Sequence, residues 1–442
     1  MNNEHAIAAP GILLLYHRPA LLNDASTVVD NIEAFAKYSA YKVWSLNTEY
    51  GFPRKLSEIK FPVIVLHYSL FGGQHYYMNN DFLDYLHKSK AAYKIAFFQD
   101  EYRYCQKRFG FINHYGIDCV YTLLEPEYFD AVYKKYTSAY RVITHIPGYV
   151  SEGLIEAARK FGIPDSERTV DIGYRGRPLD FYMGKGAQEK TGVAAGFLQR
   201  AAGTNLKLDI EQAEDKRIYG DAWYRFTAHC RGFLGVEAGV SIFDLQDTVR
   251  IHCEKRLKEN SGITFEALHD EFLYKWEDRI PYRTISPRHF EAAAFRVCQI
   301  LFQGKYSGIL KPMVHYIPLK KDFSNFNEVM QLFLDQTVRH ELTENAYRDL
   351  IASGKYSYSK FVKQFDTELP NIGLQARESV DASHINALLM KGAFVRKMRS
   401  TVLAVRYHGR WLPLSIRRIL KRSVPSLLYG NTDYNADKKG QN

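Results

Sequence analysis

Six short apolar runs fall within the first 150 residues, and segments with helical spacing lie between them; this alternation restricts what the 442-residue chain can become. The runs are Ile12–Tyr16, Lys42–Leu46, Val63–His67, Lys94–Phe98, Cys119–Leu123 and Val142–Ile146. Each has the length and apolar continuity of a strand buried on both faces. Between them, Thr27–Tyr38, Phe82–Lys88 and Pro126–Tyr136 place apolar residues three and four apart. Parallel neighbours need a crossover, so strand–helix alternation predicts a parallel sheet with helices on both faces. Pro147-Gly148 then punctuates the chain.

A second block of the same kind starts at Thr169. VDIGY reads as a strand, Gln188–Gln199 as a helix and Leu206–Ile210 as a strand; AWYRFTAHCR then precedes FLGVEAG. A helix is expected over Phe265–Trp276, and Asn327–Phe365 is helical almost throughout. The expectation is an α/β fold of two doubly wound, Rossmann-like domains facing one another across a cleft, over residues 1–160 and 161–350. Ligands of open α/β sheets bind beyond the carboxyl ends of the strands, so residues just after strands carry most weight.

The nine residues Ser286–Ala294, SPRHFEAAA, are the most informative. Ser286 is a good N-cap and Pro287 suits the first helical position. Arg288 and Glu291 then lie in the first turn, beside unpaired N–H groups and the positive end of the helix dipole. Such a terminus favours a phosphate, and a nearby carboxylate can accept from two adjacent sugar hydroxyls. The plain alternative is a capped core helix with a solvated glutamate. CQILF, Cys298–Phe302, reads as a buried strand directly after it.

This region resembles the donor-binding half of the GT-B glycosyltransferases, in which a helix opening with a Phe-Glu-Ala-Ala-like run holds the nucleoside ribose. The segment His315–Asn325, HYIPLKKDFSN, resembles the stretch after the next strand in bacterial surface-polysaccharide glycosyltransferases and is similar to the CgeB-like transferases. The resemblance covers most of residues 10–380. It implies transfer of a sugar from a nucleotide diphosphate donor to a glycan or lipid-linked acceptor, with late helices over 351–381 bracing back onto the first domain. Glu291 would bind the ribose, with Arg288 and Tyr316 on the donor side. Many retaining relatives carry a second glutamate eight positions upstream of the ribose glutamate; here that position is Arg283, so the stereochemistry does not carry over.

Further candidates sit at expected strand ends. Arg175 and Arg177, in GYRGRPLDFYMGKG, can fork onto phosphate oxygens, and Lys185 between two glycines adds a point charge. The resemblance implies an arginine and a lysine here that neutralise the leaving diphosphate; solvated side chains of a surface loop are the alternative. Glu237 and Ser241 fall in a glycine-broken run, GVEAGVSIFD, where backbone can approach a ligand or merely turn tightly. In the first domain His17, Asp100 and Glu101 follow strands and are candidates for the catalytic base or for shielding an oxocarbenium-like state. No strand-end DxD pair, Walker A run, His/Glu zinc pattern or Gly-x-Ser-x-Gly elbow occurs. Neutralisation falls to Arg, Lys and a helix dipole, so no metal and no cofactor are expected.

Charge is unevenly placed. Residues 382–442 hold 12 of the 59 Lys and Arg but 2 of the 49 Asp and Glu, so this tail carries the whole net +10. No acid occurs from 382 to 422, and Leu412 to Arg422 separates Leu412, Ile416, Ile419 and Leu420 from Arg417, Arg418, Lys421 and Arg422, with Trp411 at the edge. The stretch 391–422 is expected to lie on an anionic membrane surface as a helical, basic tail. No apolar run reaches the roughly 18 residues needed to span a bilayer, and MNNEHAIAAPG lacks the pattern of a secretory signal. Five scattered cysteines fit reduced thiols. A cytoplasmic enzyme held peripherally at the membrane is expected. Two other readings are a nucleotide-sugar epimerase and a nucleic-acid binder using the tail; the tail argues against the first, the balanced body and absent motifs against the second, so no nucleic-acid partner is expected.

Overall fold

The computed structural model describes residues 7–19, 26–370 and 372–398. The first sheet contains β1 (Ile12–Tyr16), β2 (Val43–Asn47), β3 (Val63–Leu66), β4 (Tyr93–Phe97), β5 (Cys119–Thr122) and β6 (Arg141–Thr144). Their order is β2-β1-β3-β4-β5-β6, and every pairing is parallel. Because side chains alternate across a strand, Ile12, Leu14, Val63, Val65 and Phe97 pack on one face with Ile32 and Phe35. Leu13, Leu15, Ile64, Leu66 and Ala96 pack on the other with Phe82, Leu86, Phe109 and Ile112.

The second sheet contains β7 (Val170–Arg175), β8 (Leu208–Glu211), β9 (Cys230–Gly235), β10 (Cys298–Phe302) and β11 (Ile317–Leu319). It runs β8-β7-β9-β10-β11, again all parallel. Both of its faces are covered too, by Val193, Phe197 and Phe333 on one side and by Phe290, Ala293 and Leu350 on the other. Two doubly wound α/β sheets facing across a cleft are thus present, as the strand–helix alternation led us to expect.

Local differences have local causes. The expected helix Phe265–Trp276 stops at Glu271, because Phe272 (φ −146°, ψ −44°) breaks it before a 3-10 turn over Leu273–Lys275. Pro126–Tyr136 likewise divides, into a 3-10 turn at Pro126–Tyr128 and a π-turn at Asp130–Lys134. Helices at Cys105–Tyr115, Glu152–Phe161 and Thr248–Glu259 escape sequence reading; the first and third carry no clear apolar stripe, whereas the second buries Leu154, Ala157 and Phe161 along one face. In the first, the buried Arg108 interrupts the stripe.

The helix Tyr358–Glu368 returns to the first domain. Phe365 meets Phe35 edge-on at 5.1 Å, and the Asp366 carboxylate accepts from Ser39 Oγ (2.8 Å) and the Ala40 amide (2.7 Å). The helix Ser383–Met390 also packs there through Ile385 and Leu389, so the segment following residue 382 starts as part of the body. The expected amphipathic helix Leu412–Arg422 lies outside the described residues.

Candidate active site

The second sheet reverses its direction of growth between β7 and β9, and residues just past their carboxyl ends form one wall of a cleft of about 340 Å³. That is where an open α/β sheet offers a crevice. After β7, Arg175 is held firmly: its guanidinium donates to the Tyr174 and Asp209 carbonyls (2.9 Å each), pairs with the Asp209 carboxylate (2.8 Å) and lies 4.2 Å over Phe226. Two residues on, Arg177 is exposed at the cleft. After β9, Glu237 enters the lining, while its Oε1 accepts from the Lys305 and Tyr306 amides (3.1 and 2.8 Å) and fixes the loop after β10. Burial pushes the Glu237 carboxyl above its ordinary value.

The helix Pro287–Ala294 starts as its sequence predicts: the Ser286 hydroxyl accepts from the Arg288 amide and Pro287 occupies the first position. Arg288 reaches across to donate to the Arg175 carbonyl and lies 5.0 Å over the Trp223 ring. Trp223 Nε1 in turn donates to Glu291 Oε2 at 2.8 Å. Desolvation raises the Glu291 carboxyl, opposed by that hydrogen bond and by Arg288. Glu291 therefore backs Trp223 from behind, and Trp223 is the residue that faces the cleft.

Across the cleft stand Asp100 and Tyr102, just after β4 of the first sheet. Asp100 has φ +53°, a left-handed conformation that Asp tolerates better than most residues. Its neighbour Glu101 is wholly buried and points away into the first domain. Glu101 accepts from Thr122 Oγ1 (2.5 Å), the Leu123 amide (3.0 Å) and the Tyr133 hydroxyl. The same loop reaches the second domain: the Tyr104 amide donates to Asp247 (2.7 Å), the Asp244 amide to the Tyr102 carbonyl (2.9 Å) and Arg103 to the Tyr182 hydroxyl (3.2 Å).

The sequence candidates thus separate. Asp100, Arg175, Arg177, Glu237 and Arg288 gather at the cleft, with Glu291 one layer behind. Glu101 is a core acid. Lys185 is the first residue of the helix Lys185–Ala201, exposed, with its amide bonded to Glu277 (2.8 Å). Ser241 is buried and accepts from the Gly186 amide (2.8 Å), which caps that helix. Tyr316 is buried against Tyr306 in the core. His17 stacks on Tyr77 at 4.1 Å, and burial lowers its pKa to about 4. None of these five belongs to the described lining of the cleft. One terminal nitrogen of Arg283 donates to both carboxylate oxygens of Glu189, at 3.1 Å each.

Sequence reading missed Lys190 and Trp223. Lys190 lines the cleft from the helix Lys185–Ala201; burial lowers its pKa, and Asp100, Arg177 and Arg288 all act on it electrostatically. Arg175, Arg177, Lys190, Lys216, Arg217 and Arg288 face Asp100, Glu211 and Glu237 in the described lining, an excess of positive charge suited to an anion. Among the described residues no group of three or more His, Cys, Asp or Glu side chains is placed to hold a metal ion.

Comparison with solved structures finds an alpha-glucosyltransferase in complex with UDP-glucose and DNA containing an abasic site, at 12% identity over 80% of this chain and 98% of that one (TM-score 0.49). HepE of Anabaena, in complex with UDP and glucose, matches at 9% identity over 82% and 100% (TM-score 0.46). TarM matches at 12% identity over 72% of this chain (TM-score 0.41), and only 56% of TarM's own length is covered. No protein-family model and no curated protein matches the chain.

Proposed function

We propose that this protein is a glycosyltransferase that moves a sugar from a nucleoside diphosphate donor onto a hydroxyl of a glycan or lipid-linked acceptor, in the synthesis of a cell-surface polysaccharide. The observation that carries this reading is the cleft itself. Arg177, Lys190 and Arg288 converge at the switch point of the second sheet, beside the start of the Pro287 helix, while Asp100 stands opposite on the first sheet. Cations and a helix dipole suit a diphosphate, and the carboxylate suits a hydroxyl that must lose its proton.

In this mechanism Arg177, Lys190 and Arg288 hold the diphosphate. Trp223, fixed by Glu291, forms the wall that orients the nucleoside side of the donor. As the bond between the anomeric carbon and the diphosphate oxygen breaks, charge collects on the leaving group, and preplaced cations stabilise it without reorganisation. The new bond forms between the anomeric carbon and the acceptor oxygen, whose proton passes to Asp100. The Glu101 network and the contacts from Tyr102 and Tyr104 to the second domain hold Asp100 at its place.

Thermal unfolding against a panel of nucleoside diphosphate sugars tests this reading. A donor at a hundred times its Kd stabilises the fold by about 2.7 kcal/mol, which a melting curve resolves. Absence of any shift with every donor and with free nucleoside diphosphates at millimolar concentration defeats the proposal.

A further inference from the structure

The helix Ser383–Met390 is clamped to the first domain by Ile385 and Leu389 and by a hydrogen bond from Trp44 Nε1 to Asn386 (3.0 Å). Gly392 then adopts φ +73°, open to glycine and costly for most other residues, within a turn that ends the helix. Arg396 fastens the turn by donating to the carbonyls of Leu389 (2.8 Å) and Lys391 (2.6 Å). Around this turn four apolar side chains find no cover among the described residues. Met390 is 68% exposed, Phe394 74%, Val395 44% and Met398 37%.

Single exposed apolar residues are ordinary on a protein surface, but four within nine residues form a patch. Lys391, Arg396 and Lys397 are interspersed among them, and no acid follows until residue 433. The charge selects the occupant. Residues 382–442 carry net +10 on an otherwise neutral protein, so a second copy would bring like charge to the same place. A nucleic acid would satisfy the cations and leave Met390 and Met398 in water. An anionic bilayer accepts both kinds of side chain, apolar ones below the headgroups and cations among them.

We infer that residues 390–398 form a docking surface for an anionic membrane. The Lys397 ammonium lies 5.9 Å from the Tyr50 ring, just past the carboxyl end of β2. The patch therefore belongs to the same edge of the first sheet as Asp100. Membrane docking stands independently of the glycosyltransferase reading. Only its corollary, that a lipid-linked acceptor enters from the first-domain side, rests on that reading.

The full chain is tested by flotation with phosphatidylcholine vesicles, with and without phosphatidylglycerol, beside the double variant Phe394→Asp/Met398→Asp. The expected result is flotation with the anionic vesicles, little with the neutral ones, and at least tenfold weaker association of the variant. Amide exchange of the unmodified protein is read in parallel and should show protection over 390–398 when anionic vesicles are added, a result independent of how the variant folds. Failure to float, equal flotation of the variant, or unchanged exchange over 390–398 overturns the inference. So does self-association that the substitutions abolish without any change in vesicle binding. The melting shift given by nucleoside diphosphate sugars, measured on both proteins, reports separately on the enzymatic reading and should be the same in each.

Discussion

Trp223 and Glu291, 68 residues apart in sequence, are joined by a 2.8 Å hydrogen bond from the indole to the carboxylate, and the same indole carries the Arg288 guanidinium 5.0 Å over its face. One buried acid thus fixes an aromatic wall and, through it, a cation at the cleft. Glu291→Ala is expected to weaken nucleoside diphosphate sugar binding tenfold to a hundredfold, since a hydrogen bond to a charged group contributes about 1.5–3 kcal/mol. Titration calorimetry on the folded variant decides, and an unchanged Kd removes Glu291 from the donor site.

Lys190 and Lys185 offer a contrast within one helix. Lys190→Met keeps the apolar stem and deletes the charge that sits at the cleft, so kcat should fall at least tenfold with a smaller change in KM. Lys185→Ala, at an exposed position, should leave both constants nearly unchanged. The reverse pattern in steady-state kinetics would return the diphosphate role to Lys185.

Arg177→Ala should likewise lower kcat more than it raises KM, because negative charge on the leaving group grows as the glycosidic bond breaks. A raised KM with normal kcat would make Arg177 a ground-state binding residue.

The first sheet was legible because its strands are short, largely apolar runs, and four strands of the second were read too, but the three-residue strand Ile317–Leu319 was not; the Pro287 helix was legible because Ser286 and Pro287 declare its start. The cleft was legible only in part. Arg175, Arg177 and Asp100 follow strands directly and could be found, whereas Lys190 sits in mid-helix. It shares a stripe with Gly186, Ala187, Val193, Ala194 and Phe197, all buried, and a lysine on a buried stripe was the available signal. Glu101 misled for the opposite reason. It follows a strand as Asp100 does, but the chain has already turned there, with Asp100 left-handed at φ +53°, and Thr122, Leu123 and Tyr133 receive the Glu101 carboxylate in the core. No local pattern announces Trp223, whose place depends on a partner 68 residues away.

Glu101→Ala should destabilise the protein by about 3 kcal/mol or more, because Arg108 beside it is also buried and would lose a nearby opposing charge. Chemical denaturation gives the value. A loss below about 1 kcal/mol would show that the network relaxes easily or that water fills the site.

Acid should weaken the fold through its buried histidines. Burial lowers His67 to about 3 and both His145 and His289 to about 4, all below the ordinary value of 6.5. Between pH 6.5 and 4 the unfolded chain binds protons that the folded chain refuses, so this contribution to stability is complete above pH 6.5 and is lost as pH falls. Burial raises the Glu101 and Glu291 carboxyls, whose effect runs the other way from their ordinary values upward. The histidine part is isolated by NMR titration of the ring protons, which should show no transition above about pH 5 at these three positions. A transition near 6.5 at any of them would mean that its ring is solvated.

The return of Tyr358–Glu368 to the first sheet bears on how the chain is made. Asp366 bonds to Ser39 across 327 residues, and Phe361 and Phe365 cover Phe35, Phe97 and Tyr121. A ribosome delivers the strands of the first sheet early and their covering helix last. The amino-terminal domain must therefore wait, one face bare, while the whole second domain is synthesised. Truncation before residue 358 should for that reason harm the half of the molecule farthest from the cut in sequence, and nascent chains of that length are natural clients for a chaperone.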